Sequence, residues 1–354
     1  MEGYFGLGAR EKVLMTGMIR SYLTVAALAA VLPVMGARKE RVVQTNAAGD
    51  NIHMIDPLTN KVVGTIEGIE IPHGAVIAPD GTRIYVTEES TRSMVAVDSK
   101  TLKIIKKVPL SGRPNNIAVT LDGRKVYVGI AQQPGAVDVI DTESLTNVKS
   151  IAVQGAIHNV YVTPDGKYAV SGSVATGVIT AIDTATDTVK WAWKETAGIR
   201  PMTFTTNPDG STKEMIFQLS NFHGFVVADF ATQKEIMRVT HPEVPGRERE
   251  TDGIQGAPAH GLMITPDKKI LWSTSKYYDY AAAYSLPDYK LVKIVDVGSH
   301  PEWMTIPPNG KNMYVGCAGS DTTDVIELKS MKVIAKIPVG FVPKRITSGF
   351  IETK

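Results

Sequence analysis

The chain is 354 residues long, 43% apolar, and carries 38 basic against 36 acidic residues for a formal charge of +2. That apolar content supports a sizeable core and excludes a disordered chain, and so small a net charge leaves no electrostatic footprint for nucleic acid. A single cysteine, Cys317, excludes an intrachain disulfide, iron–sulfur and cysteine-rich zinc sites, and the Cys-x-x-Cys-His attachment of a c-type haem.

The first element in the chain is a targeting segment. Residues 1–37 place Arg10, Lys12 and Arg20 ahead of an apolar run at 23–34 and the small residues Gly36-Ala37, the order of a secretory signal peptide. The run is shorter than the ~20 residues of a spanning helix, so an exported chain with no stable membrane insertion after cleavage is expected; left uncleaved, the segment would be an anchor. The stretch ahead of the run is long, and translation from Met15 or Met18 would give a more usual signal.

From residue 38 onward one unit recurs. The turns Pro79-Asp80-Gly81, Leu121-Asp122-Gly123, Pro164-Asp165-Gly166, Pro208-Asp209-Gly210, Pro266-Asp267-Lys268 and Pro308-Asn309-Gly310 follow one another at steps of 42, 43, 44, 58 and 42 residues. A strand-like run leads into each turn and a β-rich run such as Ile84-Tyr85-Val86-Thr87 leaves it. A third run follows, often closed by Asp (Asp98, Asp141, Asp183, Asp229), then a polar turn and a fourth run. Four short strands in about 40–45 residues make one propeller blade. Before the first turn, 42–44, 52–56 and 62–66 supply only strands two to four, and the missing first strand is at 342–347. The prediction is an all-β, seven-bladed β-propeller over 38–354, with four strands per blade. The C-terminal strand joins the N-terminal blade and closes the ring, which removes open sheet edges.

The segment Ile84-Tyr85-Val86-Thr87-Glu88, with Pro79-Asp80-Gly81 ahead and Val95-Ala96-Val97-Asp98 behind, resembles the YVTN family of bacterial β-propeller repeats, over about residues 41–351. The resemblance implies the fold and leaves function open, because propellers serve as binding proteins, lyases, lactonases and subunits of redox complexes.

Function is expected on the face opposite the uniform turns, where the loops vary. Seven residues ahead of each turn Asp or Asn stand His73, Asn115, His158, Met202, His260 and Glu302, with Lys344 in the closing strand. Three histidines in alternate blades, with Glu302, are a candidate divalent-metal or acid–base site on the axis; a polar pore mouth bonded to water and backbone is the alternative. Arg113, Arg200, Lys344 and Arg345 flank this column and suit a carboxylate or other anion, or are solvated rim charges. No Ser-His-Asp order, phosphate loop or His-Glu-x-x-His pattern is present, so no catalytic residue is assigned.

The 58-residue step contains an insertion at 241–258. Glu243, Arg247, Glu248, Arg249, Glu250, Asp252 and Gly253 give it alternating charge, which reads as a projecting arm that docks on a partner; a pore cover and an idle loop are the alternatives. The size, the haem-free single domain and this insertion after the fifth blade resemble the propeller (beta) subunits of hydrazine synthases, three-subunit anammox enzymes whose other subunits carry c-type haem. That resemblance implies a subunit of an exported oxidoreductase complex, in the periplasm or anammoxosome lumen. It implies haem-bearing partner subunits, no covalent cofactor on this chain, and hydrazine formation from nitric oxide and ammonium at a partner's haem toward which the 241–258 loop reaches. The other reading is a free-standing metal-dependent lactonase, hydrolase or lyase using the pore-mouth histidines.

Overall fold

Strands such as Arg83–Glu88 and Ser93–Asp98 are almost wholly buried and read as continuous apolar runs, because both of their faces are covered. The outermost strands, such as Lys61–Glu67 and Ile104–Pro109, are mostly exposed and carry lysines that discourage edge pairing. The computed structural model describes residues 38–353, in seven four-stranded antiparallel sheets and no helix. The predicted signal segment at 1–37 lies outside the described residues. No helix of the described residues is long and apolar enough to cross a membrane.

The seven innermost strands are Pro343–Glu352, Pro72–Ile77, Pro114–Val119, Ile157–Val162, Ile199–Thr206, Ala259–Ile264 and Pro301–Thr305. Each packs against the next around a closed ring, giving the seven-bladed propeller. Closure follows the predicted route: Pro343–Glu352 pairs with Arg38–Asn46, Val42 opposite Ser348 and Val43 opposite Thr347. Between neighbouring blades sit apolar clusters, for example Val43, Ile52, Ile84, Val86 and Val95 between the first and second. Another joins Val170, Ile179, Met202 and Phe217 between the fourth and fifth. Each such side chain stabilises the stack by roughly 1.5–3 kcal/mol on burial.

The recurring turn residues have local causes. Asp80 Oδ1 accepts the Thr82 N–H at 3.0 Å, and Gly81 adopts φ +74°, a conformation that glycine takes without steric cost. In five of the seven blades an Asp closes the third strand and caps the next turn, as Asp98 Oδ1 does by accepting the Thr101 N–H at 2.7 Å.

Hydroxyl groups tie adjacent blades together near the pore. Thr87 Oγ1 accepts the Gly74 N–H and donates to the Asn115 carbonyl of the next blade, each at 2.7 Å. Thr274 repeats this between Gly261 and Glu302, and Thr45 donates to the His73 carbonyl. These struts set the backbone of residues in the pore-mouth column.

Thr87→Val strands the Gly74 N–H and the Asn115 carbonyl, and is expected to lower stability by about 1–3 kcal/mol with unchanged strand content; denaturant melts followed by circular dichroism check it. A chain ending at 342 lacks the closing strand and is expected to aggregate and lose its cooperative thermal transition. A soluble truncation with an unaltered melt would contradict the closure.

Candidate functional site

The second residue of each innermost strand forms a ring at the pore mouth: His73, Asn115, His158, Arg200, His260, Glu302 and Lys344. Counting back from the turns had put Met202 in this ring, and strand pairing corrects it to Arg200. Ile199 pairs with Leu219 as Pro72 pairs with Glu88, and the strand Ile199–Thr206 has 8 residues where Pro72–Ile77 has 6. The extra length shifts the turn, not the ring. Met202 packs instead in the apolar cluster with Phe217.

Above the ring opens a pit of about 560 Å³, lined by His73, Asn115, His158, Arg200 and Lys344, with Glu89, Arg113 and Gln255 on its walls. Next along the closing strand and the seventh blade come Arg345 and Trp303, both buried. The Arg345 guanidinium lies 3.5 Å over the Trp303 ring, a cation–π contact strengthened by exclusion of water.

The three histidines converge, but around an indole. Ring centroids of His73 and His158 are 6.5 Å apart and those of His158 and His260 5.9 Å; Trp303 stands 6.2, 6.1 and 4.0 Å from His73, His158 and His260. Metal–nitrogen bonds of about 2 Å would need that space. As the rings stand, they do not fit one shared ion. Among the described residues no three His, Cys, Asp or Glu are gathered to hold a metal.

Each histidine instead has a local partner. His73 Nδ1 is 2.8 Å from Glu89, which also meets Arg113 at 3.0 Å. His260 Nδ1 is 2.8 Å from Glu302, whose other oxygen takes Lys276 at 2.9 Å. His158 Nδ1 faces the Asn159 amide at 2.9 Å. Burial pushes all three imidazoles down, His158 well below its ordinary value and His260 to about 3, Glu302 opposing in the latter case. Burial works to raise Glu302, but His260 and Lys276 beside it hold its carboxyl well below the usual range. The consistent state is an ionised Glu302–Lys276 pair with neutral imidazoles. Burial also lowers Arg345 to about 10, where it remains charged at neutral pH.

Glu89 and Lys276 were not among the sequence candidates. They share one repeat position, the residue just after a blade's second strand (Arg83–Glu88 and Ile270–Ser275), and that column was the signal that could have found them. Two further imidazoles belong to enclosed His–Ser contacts: His223 with Ser275 at 2.7 Å, and His241 with Ser273 at 2.8 Å. Both serines are fully buried, so neither is presented as a nucleophile. Cys317 is buried, and its thiol is pushed up by that burial.

The 241–258 segment does not project; it is strapped along the pore-mouth face. His241 is buried against Tyr284 and Ser273, and Tyr280 donates to the Pro242 carbonyl. Glu243 takes Arg249 at 2.5 Å and the Tyr278 hydroxyl. Arg247 grips Asp296 with two bonds of 2.8 and 2.7 Å. Farther on, the Asp252 carbonyl lies 2.9 Å from His300 Nε2, and the Gln255 carbonyl accepts from Arg200 at 2.7 Å. Ile254 and Ala257 are buried. The alternating charges are thus spent on tethers, while Glu248, Glu250 and Asp252 remain exposed.

A hollow of about 480 Å³ on the opposite face, lined by Phe204, Ile264, Pro266 and Leu286, contains no histidine. The groups with chemistry gather at the pore mouth.

No protein-family model matches the chain, and no curated protein matches it in sequence. Solved structures superpose on most of it. A hydrazine synthase chain from Kuenenia stuttgartiensis is 21% identical with a TM-score of 0.69, over 87% of this chain and 99% of that one. The periplasmic gluconolactonase of Pseudomonas aeruginosa is 16% identical with a TM-score of 0.70, over 88% and 99%. A dihydro-heme d1 dehydrogenase is 14% identical with a TM-score of 0.64, over 88% of this chain and 66% of that one. At these identities the likeness is one of fold.

Neutral buried imidazoles carry a pH signature. Their folded pKa values lie below the unfolded value of 6.5, so stability is complete above that pH and falls below it as the unfolded chain gains protons. The loss is about 1.4 kcal/mol per pH unit for each such histidine, joined by Glu302 at lower pH. Denaturant titrations are expected to agree at about pH 8.5 and 7.5, to weaken detectably by about pH 6.5 and steeply by about pH 5. A profile flat to that point would contradict neutral imidazoles.

Proposed function

We propose that this propeller is a haem-free subunit of an exported, multisubunit haem oxidoreductase of the hydrazine synthase kind, and that its pore-mouth face docks on the haem-bearing partner. The observation carrying this reading is the inserted strap on the pore-mouth face, taken with a superposition on a hydrazine synthase chain over 99% of that chain's length at 21% identity, an extent that the gluconolactonase equals. Supporting it, no sequence motif assigns a catalytic residue, and the enclosed Ser273, Ser275 and Cys317 offer no accessible nucleophile. The strap at 241–258 is a single asymmetric feature on an otherwise repetitive ring, with an exposed acidic and basic crest suited to a specific partner. Its tethers pre-form the crest, which lowers the ordering cost of association. Export is supported by the signal-like order of residues 1–37.

Affinity purification from the native host tests this. The expected result is co-purification with polypeptides that stain for covalent haem. Glu248→Arg, an exposed change, is expected to weaken that association at least tenfold without altering the melt, since interface charges of the wrong sign cost on the order of 1–3 kcal/mol. Recovery of a lone chain with no haem-bearing partner would sink the proposal.

A further inference from the structure

The groups on the pit wall are sorted by polarity, and Arg345 does the sorting. Its guanidinium is buried, and its partners are oxygens of neutral groups: Asn115 Oδ1 at 3.1 Å, Asn159 Oδ1 at 3.3 Å and the His158 carbonyl at 3.3 Å. Because Asn115 turns its oxygen down to Arg345, its amide NH₂ is left without an internal partner. Because Asn159 also gives its oxygen to Arg345, its NH₂ donates to His158 Nδ1 at 2.9 Å. That fixes the His158 tautomer: Nδ1 accepts, so Nε2 carries the proton, on a half-buried ring lining the pit.

The carboxylates of the region are already engaged, while the buried His73 Nε2 has no partner. Glu89 is held by His73 and Arg113, and Glu302 by His260 and Lys276. Arg200 bonds only neutral oxygens, Ser220 Oγ at 2.9 Å and the Gln255 carbonyl at 2.7 Å. Lys344 is half-buried on the same wall. The pit therefore presents donors and positive charge: Asn115 NH₂, His158 Nε2–H, the remaining Arg200 N–H groups and the Lys344 ammonium. Between them stand apolar surfaces from Ala47, Ala48, Ile71 and Val174. A volume of about 560 Å³ falls within the ordinary range for small-molecule sites.

We propose that the pore-mouth pit binds a small organic carboxylate, its oxygens taken by Arg200, Lys344, Asn115 and His158 and its carbon body by the apolar wall. Two cations with neutral donors match a monoanion or a small dicarboxylate. The apolar patches separate an organic acid from sulfate or phosphate, which offer them nothing. The site stands whether or not the chain has a partner subunit, so its failure and that of the assembly reading are distinguishable.

Calorimetric titration of the purified chain with pyruvate, lactate and malate, against sulfate and phosphate, tests it. At least one carboxylate is expected to bind saturably with a dissociation constant below about 1 mM. Lys344→Met, which loses no bond of the fold, is expected to weaken binding about tenfold or more, and Arg200→Met similarly. Arg113→Met, whose charge is committed to Glu89, is expected to change it less than about threefold. Where Arg200→Met disturbs the Gln255 tether, Lys344→Met decides alone. No carboxylate binding, equal binding of sulfate or phosphate, or an unchanged affinity in Lys344→Met would each overturn the proposal.

Discussion

The pairing of Pro343–Glu352 with Arg38–Asn46 is the constraint on which the molecule depends. Six complete blades form an open arc with two sheet faces uncovered and the innermost strands free to splay. The seventh sheet, built from both ends of the described chain, brings those faces together and fixes the ring's diameter. The same strand delivers Lys344 and Arg345, so one backbone ladder both closes the fold and furnishes the pore with two of its cations. The Thr45, Thr87 and Thr274 struts then transmit the position of one blade to the pore residues of the next.

At the pore itself the governing effect is desolvation. It keeps the imidazoles neutral, it forces the carboxylates into pairs, and it makes an unpaired guanidinium expensive unless each N–H finds an oxygen. Arg345 meets part of that demand with two asparagines and a backbone carbonyl, all on one terminal nitrogen, and with the face of Trp303, while its Nε is buried without a partner. The result is a floor whose dipoles are fixed before anything arrives, and preorganised donors of this kind are what make a concave polar surface selective.

The fold was legible because its cause is local and repeated: one turn chemistry, one strand pattern and one spacing, written six times and completed by the two ends. The convergence of His73, His158 and His260 was legible for the same reason, since equivalent positions in a ring face one axis. What was not legible were departures from the repeat. Two extra residues before Asp209 displaced the reading from Arg200 to Met202. An indole from Trp303, at a position where two other blades have Gly74 and Gly261, stands among the three imidazoles. The alternating charges of 243–252 read as a projecting arm because a sequence does not show which of them are spent on intramolecular pairs such as Arg247–Asp296 and Arg249–Glu243.

The placement of Arg345 also sets an order in time. Translation produces its strand only after the other six blades and three-quarters of the first have left the ribosome. Until then Asn115 and Asn159 have no guanidinium to orient them, and His158 has no fixed tautomer. The pore mouth is therefore the last part of the molecule to acquire its character, and an unfinished chain presents the histidines without the arrangement that gives them purpose.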